Sequence, residues 1–168
     1  MKKPLVNAAF IDGNNLHRSA LDIGWRLDTR KFRIHLEETY EVGTAYYCIG
    51  YMPGNQGLYD RLIREGYELI FKQVQYVNGV PKGNIDAELV LKCFVQYRVF
   101  RQAVIVTSDG DFACLVEYLI QKGKLRKVIA SKRENCSELL EEASGSYIAY
   151  VDDLRNKLEF RKQRKGTS

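Results

Sequence analysis

A four-residue apolar run, Ala103–Val106, gives way without transition to Thr107-Ser108-Asp109-Gly110-Asp111, and a helical pattern over Phe112–Ile120 follows at once. That juncture constrains the chain more than any other stretch. A short apolar run bounded by polar residues reads as a buried strand, so two carboxylates stand at the carboxyl end of a strand beside a helix N-terminus. In open α/β sheets that edge is where ligands bind. Asp109 and Asp111 are separated by one glycine, which suits a bent backbone aiming both side chains at one small volume. Carboxylates that close repel unless they face water, share a cation, or keep a proton. A hard divalent cation such as Mg²⁺, which takes carboxylate oxygens and keeps several waters, resolves the repulsion. The plainer alternative is that the two acids shape a turn and cap a helix.

Two other stretches repeat the theme. Leu5–Ile11 is an apolar strand interrupted by Asn7, and it ends at Asp12-Gly13-Asn14-Asn15. Asp12 therefore follows a buried strand as Asp109 does, and in a parallel sheet both belong to one edge. Asn14 and Asn15 offer amides, either of which can cap the next helix. Capping accounts for one polar residue there and leaves the others unexplained. In the helical pattern Ile85–Phe100, the residues three, four and seven after Asp86 are Leu89, Val90 and Cys93. Those offsets share a face, so Asp86 lies on the inward stripe, where a carboxylate needs a partner, a metal or a proton. Its alternative role is first-turn stabilisation by the helix dipole. Glu88 and Lys92, four apart, are expected to pair on the surface.

Asp12, Asp86, Asp109 and Asp111 together repel one another strongly, and their convergence makes sense mainly as a Mg²⁺ or Mn²⁺ site. Metal-activated water attacking a phosphodiester is the chemistry that fits, with the ion also shielding phosphate oxygens. Lys82 suits a phosphate as a point charge. Competing motifs are weaker. No G-x-G-x-x-G or Walker sequence is present, so no nucleotide cofactor is expected, and no G-x-S-x-G elbow marks a serine hydrolase. Asp109-Gly110-Asp111 matches a D-x-D pattern of only three residues. Asp-nucleophile phosphatases carry a second Asp where this chain has Asn14.

The remaining patterning alternates strand and helix. Helices are expected from Leu16, over Thr29–Tyr40, over Gln56–Glu65 with Leu58, Leu62 and Ile63 inward, and over Ser137–Ala143. Strands are expected at Thr44–Met52, Tyr67–Val77, Leu125–Ala130 and Tyr147–Val151, with turns at Asn78-Gly79 and Lys82–Asn84. Such alternation predicts one α/β domain on a parallel sheet. Among the 168 residues no apolar run approaches the roughly 20 a membrane span requires, and no signal peptide is expected. Cys48, Cys93, Cys114 and Cys136 are widely spaced, mostly within apolar stretches, and read as reduced, buried thiols of a cytoplasmic protein. With only His17 and His35 besides, zinc is not expected. The net charge of +5 is local: Arg155–Ser168 has six basic residues against Glu159, and residues 1–154 balance at 20 and 20. A basic end can neutralise nucleic-acid phosphates or simply be solvated, helical to about Phe160. Tyr46, Tyr47, Tyr51, Tyr59 and Tyr76 are candidates for base stacking, although strand tyrosines commonly belong to the core or sheet surface.

Phe10-Ile-Asp-Gly-Asn-Asn15, Lys82-Gly-Asn-Ile-Asp86 and Val106-Thr-Ser-Asp-Gly-Asp-Phe112 resemble, in order, the motifs of the NYN domain. This is the LabA-like branch of the PIN-like nuclease superfamily. The resemblance spans Leu5 to Val151. It implies a Rossmann-like three-layer α/β/α fold with a mainly parallel sheet, a domain over residues 1–152 and a basic tail over 153–168. It also implies Mg²⁺-dependent cleavage of RNA. Residue by residue, Asp12, Asp86, Asp109 and Asp111 would be metal or catalytic acids. Asn14, Asn15 and Ser108 would be polar neighbours of the substrate, and Lys82 a helper near the phosphate. Many relatives carry a further Asp where this chain has Lys92. That departure keeps a second reading in view, a non-catalytic RNA-binding or regulatory protein on the same fold. No membrane partner is expected, and a homo-oligomer is compatible with all of this.

Overall fold

A computed structural model describes residues 5–82 and 85–162. Its centre is β1 (Asn7–Asp12), whose six residues are all buried. Strand side chains alternate between faces. Ala9 and Ile11 accordingly enter one core layer, and Ala8 and Phe10 the other. A sheet covered on both faces requires such an unbroken apolar run.

On one side of β1 lie β2 (Val42–Tyr51) and β3 (Tyr67–Gln73). On the other lie β6 (Ala103–Val106), β7 (Leu125–Ala130) and β8 (Ile148–Tyr150). The order is β3-β2-β1-β6-β7-β8, with every neighbour parallel. Helices α1 (Gly13–Asp22), α2 (Thr29–Tyr40) and α3 (Gln56–Arg64) join the strands of the first half. Phe32, Leu36 and Leu62 from α2 and α3 fill the first core layer. Helices α4 (Asp86–Val95), α5 (Ala113–Gln121) and α6 (Glu138–Ser144) cover the opposite face through Leu89, Leu119 and Leu140. The three-layer α/β/α architecture is therefore as expected. Chain direction across the sheet reverses between β1 and β6, and in such sheets a crevice opens there, beyond the carboxyl ends of the strands.

Several local expectations are corrected. The strand expected over Tyr67–Val77 breaks at Val74, and β4 (Gln75–Val77) pairs antiparallel with β5 (Val80–Lys82) as a separate hairpin. Its Asn78-Gly79 turn has both φ values positive, 52° and 74°, as a tight two-residue hairpin requires. On α3 the inward stripe is centred on Tyr59 and Leu62, leaving Ile63 at its margin and 56% exposed. α4 stops at Val95 rather than Phe100. Glu88 pairs with Lys72 of β3 at 3.3 Å instead of Lys92, because Lys92 lies over the Tyr46 ring, 4.6 Å from its centroid. Cys48 and Cys93 are buried free thiols, whereas Cys114 is exposed.

The start of the basic C-terminal stretch is packed rather than solvated. Helix α7 (Arg155–Leu158) buries Leu158 completely in the first core layer. The Asp28 amide donates to the Leu158 carbonyl, and the Phe160 amide to that of Arg26, both at 2.8 Å. The rest of that stretch, from Gln163, lies outside the described residues. Among the described residues no helix is long and apolar enough to cross a membrane.

Candidate functional site

Asp12 is the last residue of β1 and the N-cap of α1. Its Oδ1 accepts the Asn15 amide at 2.9 Å, and its Oδ2 accepts the Thr107 hydroxyl at 3.1 Å. With 3% exposure it has almost no contact with bulk water. Gly13 follows because nothing larger fits: a Cβ there would stand 2.3 Å from the Tyr47 ring and 2.6 Å from the Cys48 carbonyl. The close approach of α1 to β2 thus fixes the direction in which Asp12 points.

Across the switch point, the loop after β6 curls into a short 3₁₀ turn, Gly110–Phe112, capped by Asp109. Asp109 Oδ1 accepts the Asp111 amide at 2.9 Å, and the Asp109 amide donates to the Thr107 hydroxyl oxygen at 3.1 Å. Thr107 therefore ties Asp12 to Asp109. Asp86, in the first turn of α4, comes up from the other face of the sheet. One carboxylate oxygen from each of Asp86, Asp109 and Asp111 lies within 4.8 Å of the others. A cavity of about 320 Å³ is lined by Asp12, Asp86 and Asp109 together with Asn14, Arg18 and Lys82. Burial is the main force pushing the Asp12 carboxyl up to about 6. Asp86 and Asp109 push it further up, and the bonds from Asn15 and Thr107 oppose the rise.

Most of the residues singled out in the sequence thus meet at one edge, with a division of labour the sequence did not reveal. Asp86, Asp109 and Asp111 form a compact cluster. Asp12 faces the same cavity from its floor, with both oxygens already accepting bonds. Asn14 lines the cavity and reaches to the Gly50 amide, 3.4 Å away. Asn15 points aside and accepts the Ser108 amide at 2.9 Å. Ser108 is buried, its hydroxyl 2.9 Å from that of Ser131, so it braces the loop after β6 against the loop after β7. Lys82 arrives on the exposed end of the hairpin. Sequence reasoning assigned no role to Thr107, Ser131 or Arg18. Arg18 lies four residues after Asn14, a helical offset that puts both on one face. The contact between Ser108 and Ser131 depends on strand pairing and leaves no local trace.

Three carboxylate oxygens this close, with a fourth carboxyl on the same cavity, form a hard, anionic donor set. Mg²⁺ and Mn²⁺ prefer such oxygens, Mg²⁺ at 2.0–2.1 Å. The spacing in the cluster lets one ion of that size reach several of them with little side-chain movement. Asp111 is exposed, which leaves that side of the cluster open to water or to a ligand.

Comparison with known proteins gives a consistent picture. The model of the NYN domain matches residues 7–152. The low amplitude and bright protein LabA of Synechococcus elongatus is 28% identical over 168 residues, covering 94% of this chain and 89% of LabA. A crystal structure of a protein of unknown function from Vibrio parahaemolyticus superposes with a TM-score of 0.75 at 21% identity. That match covers 95% of this chain and 100% of the other, and it shows a shared fold.

Proposed function

The chain belongs to the NYN domain family, and from that premise together with the acidic crevice we propose that it is a metal-dependent ribonuclease. The observation carrying this reading is the gathering of Asp86, Asp109 and Asp111 within 4.8 Å beside the buried Asp12. Structural turns and caps require neither so many acids nor their convergence from three separate stretches of chain. Mg²⁺ or Mn²⁺ bound there supplies Lewis-acid polarisation of a phosphate and acidification of water. Asp86, Asp109 and Asp111 would hold the ion, and Asp12 would add negative charge from the floor. Thr107 and Asn15 hold Asp12 in place. Lys82, Arg18 and Asn14 face the substrate phosphate from the rim, and the basic C-terminal residues add a nonspecific contact to RNA. Four free thiols suit a reducing, cytoplasmic setting.

Purified protein given RNA with Mg²⁺ or Mn²⁺ should cleave it, and Asp12→Asn and Asp109→Asn should each lower the rate by at least ~10²-fold, as expected when charge stabilisation at a reacting phosphate is removed. Metal-dependent cleavage that survives both substitutions would defeat the proposal.

Lys92 supports a second reading, RNA binding without cleavage, because it stands where many relatives have an acid. Its ammonium rests on Tyr46 rather than lining the cavity, so it supplies no acid at that position and places no cation among the others. Under this second reading the protein binds RNA in a salt-sensitive way, binding weakens when residues 161–168 are removed, and no turnover occurs with any divalent ion.

A further inference from the structure

The acidic cavity is one end of a longer depression. Asn14 and Arg18 form a wall common to it and to a second hollow of about 490 Å³, whose floor includes Ile49, Met52 and Leu58. His17, Ile49 and Leu58 in turn border a third hollow, of about 600 Å³, between α1, α3 and β2. Arg61 is shared by that hollow and a fourth, also about 600 Å³, where α2 meets α3. The four hollows thus follow one another through shared lining residues, from the carboxylates along α3 to its C-terminal end, and we treat the succession as one trough. That helix has nine residues, roughly 13 Å at the α-helical rise.

Chemistry changes along the way. The middle is more apolar, its floor formed by Leu58, Ile49 and the exposed Met52, although Asn14, His17, Arg18 and Asn55 also line it. The far end is lined by Arg30 and Arg33 of α2 and Arg61 and Arg64 of α3. Each pair is spaced by three residues and so shares a helix face. Two acids lie in the same hollow, and each has a cation: Glu37 is 3.7 Å from Arg33, and Glu65 is 3.8 Å from Arg61. Arg33 is further committed to the carbonyls of Gly66 and Gly43. Arg30 and Arg64 are exposed and enter no ion pair among the described residues.

Resting on the RNA reading above and deepening it, we infer that this trough carries a single strand of RNA away from the acidic crevice, with Arg30 and Arg64 binding its phosphates at the far end. An apolar floor between two charged ends matches an unpaired strand, whose bases are free to lie on hydrophobic surface while its phosphates meet cations. An A-form duplex keeps its bases stacked inside and shows a protein mainly phosphates and 2′-hydroxyls. The preferred substrate is therefore unpaired RNA long enough to span the trough.

The test measures anisotropy of a fluorescent 12-nucleotide single-stranded RNA in Ca²⁺ with the full chain. Arg30→Glu combined with Arg64→Glu should weaken binding by at least ~10-fold, and the slope of log affinity against log salt should fall by about 1.4 for two lost phosphate contacts. Arg98→Glu with Lys122→Glu, the same charge change on the other side of the sheet, should leave binding as it was. A strand carrying 4-thiouridine should crosslink to the peptide containing Met52 and Leu58. This readout needs no variant to fold. Equal binding by the arginine variant, equal affinity for a 12-base-pair duplex, or crosslinks confined to other surfaces overturns the trough whether or not the protein cleaves RNA. An acidic peptide that competes as well as the RNA overturns its assignment to nucleic acid. Binding through the trough without turnover in Mg²⁺ or Mn²⁺ keeps the trough and removes the nuclease reading instead.

Discussion

Asp12 holds its charge at a disadvantage to the fold. The folded carboxyl gives up its proton near 6, against 3.8 ordinarily, mainly because burial penalises the ion. Between those values the folded state binds more protons than the unfolded one. Stability in the absence of metal therefore falls as pH rises from about 4 to about 6 and stays lower above that. At neutral pH the handicap is on the order of 3 kcal/mol. Asp12→Asn keeps the acceptor for the Asn15 amide and removes the charge. In EDTA it should raise the urea midpoint at pH 7.5 and give no gain at pH 4, and with Mg²⁺ or Mn²⁺ restored it should lower any cleavage rate by at least ~10²-fold. A variant that loses activity and stability together at pH 7.5 would show that Asp12 matters for packing instead. Gly13→Ala should cost about 1–3 kcal/mol, the usual range for overpacking, because its nearest obstacles include the Cys48 carbonyl as well as the Tyr47 ring. Thermal melts at one pH suffice to check it. The sequence made the inward aim of Asp86 legible, since Leu89 and Cys93 fix that face of α4. It could not reveal that Thr107 bridges Asp12 and Asp109, because that bond joins side chains 95 residues apart in the chain.

Among the elements, α7 is the one whose composition misleads. Arg155, Lys157, Arg161 and Lys162 make the stretch look like a solvated tail, yet Leu158 is fully buried and Leu154, four residues earlier, packs against the same layer. The i,i+4 spacing of those two leucines was a helical signal overshadowed by charge. Leu158→Ala should destabilise the protein by about 2–5 kcal/mol, the range for emptying a buried leucine site. The denaturation midpoint should drop at an unchanged m-value. Truncation after Lys162 should leave the midpoint where it was. Equal effects from both changes would mean that α7 contributes little to the fold. The hairpin β4–β5 was half legible: Asn78-Gly79 announced a turn, but period-two alternation through Tyr67–Val77 ran across the break at Val74. Periodicity reports which way side chains face and is blind to which strand a segment pairs with. Lys82 reaches the cavity only because the hairpin leaves the sheet there.

For the molecule as a whole, strand order decides where the acids meet. Alternating strands and helices made a parallel sheet readable, but the reversal between β1 and β6 had to come from the structure. That reversal sets the ends of β1 and β6 side by side, while α4, entered from the β4–β5 hairpin, brings Asp86 to the same cavity. Acidic residues drawn together by topology repel one another, so under the proposed metal reading binding of the ion and stability of the fold are linked. Mg²⁺ or Mn²⁺ at about 100 times its dissociation constant should stabilise the folded chain by about 2.7 kcal/mol. For a domain of this size that corresponds to a rise in Tm of roughly 5–10 °C. Calorimetry with added MgCl₂ or MnCl₂, against NaCl at matched ionic strength, separates specific binding from screening. Asp109→Asn should abolish most of the shift. Asp12→Asn should start from a higher metal-free Tm and gain less, because part of the repulsion the cation relieves has already been removed. A Tm that moves equally with NaCl and MgCl₂, or a full shift in Asp109→Asn, would mean that the acids tolerate one another through water alone and that the crevice is not a metal centre.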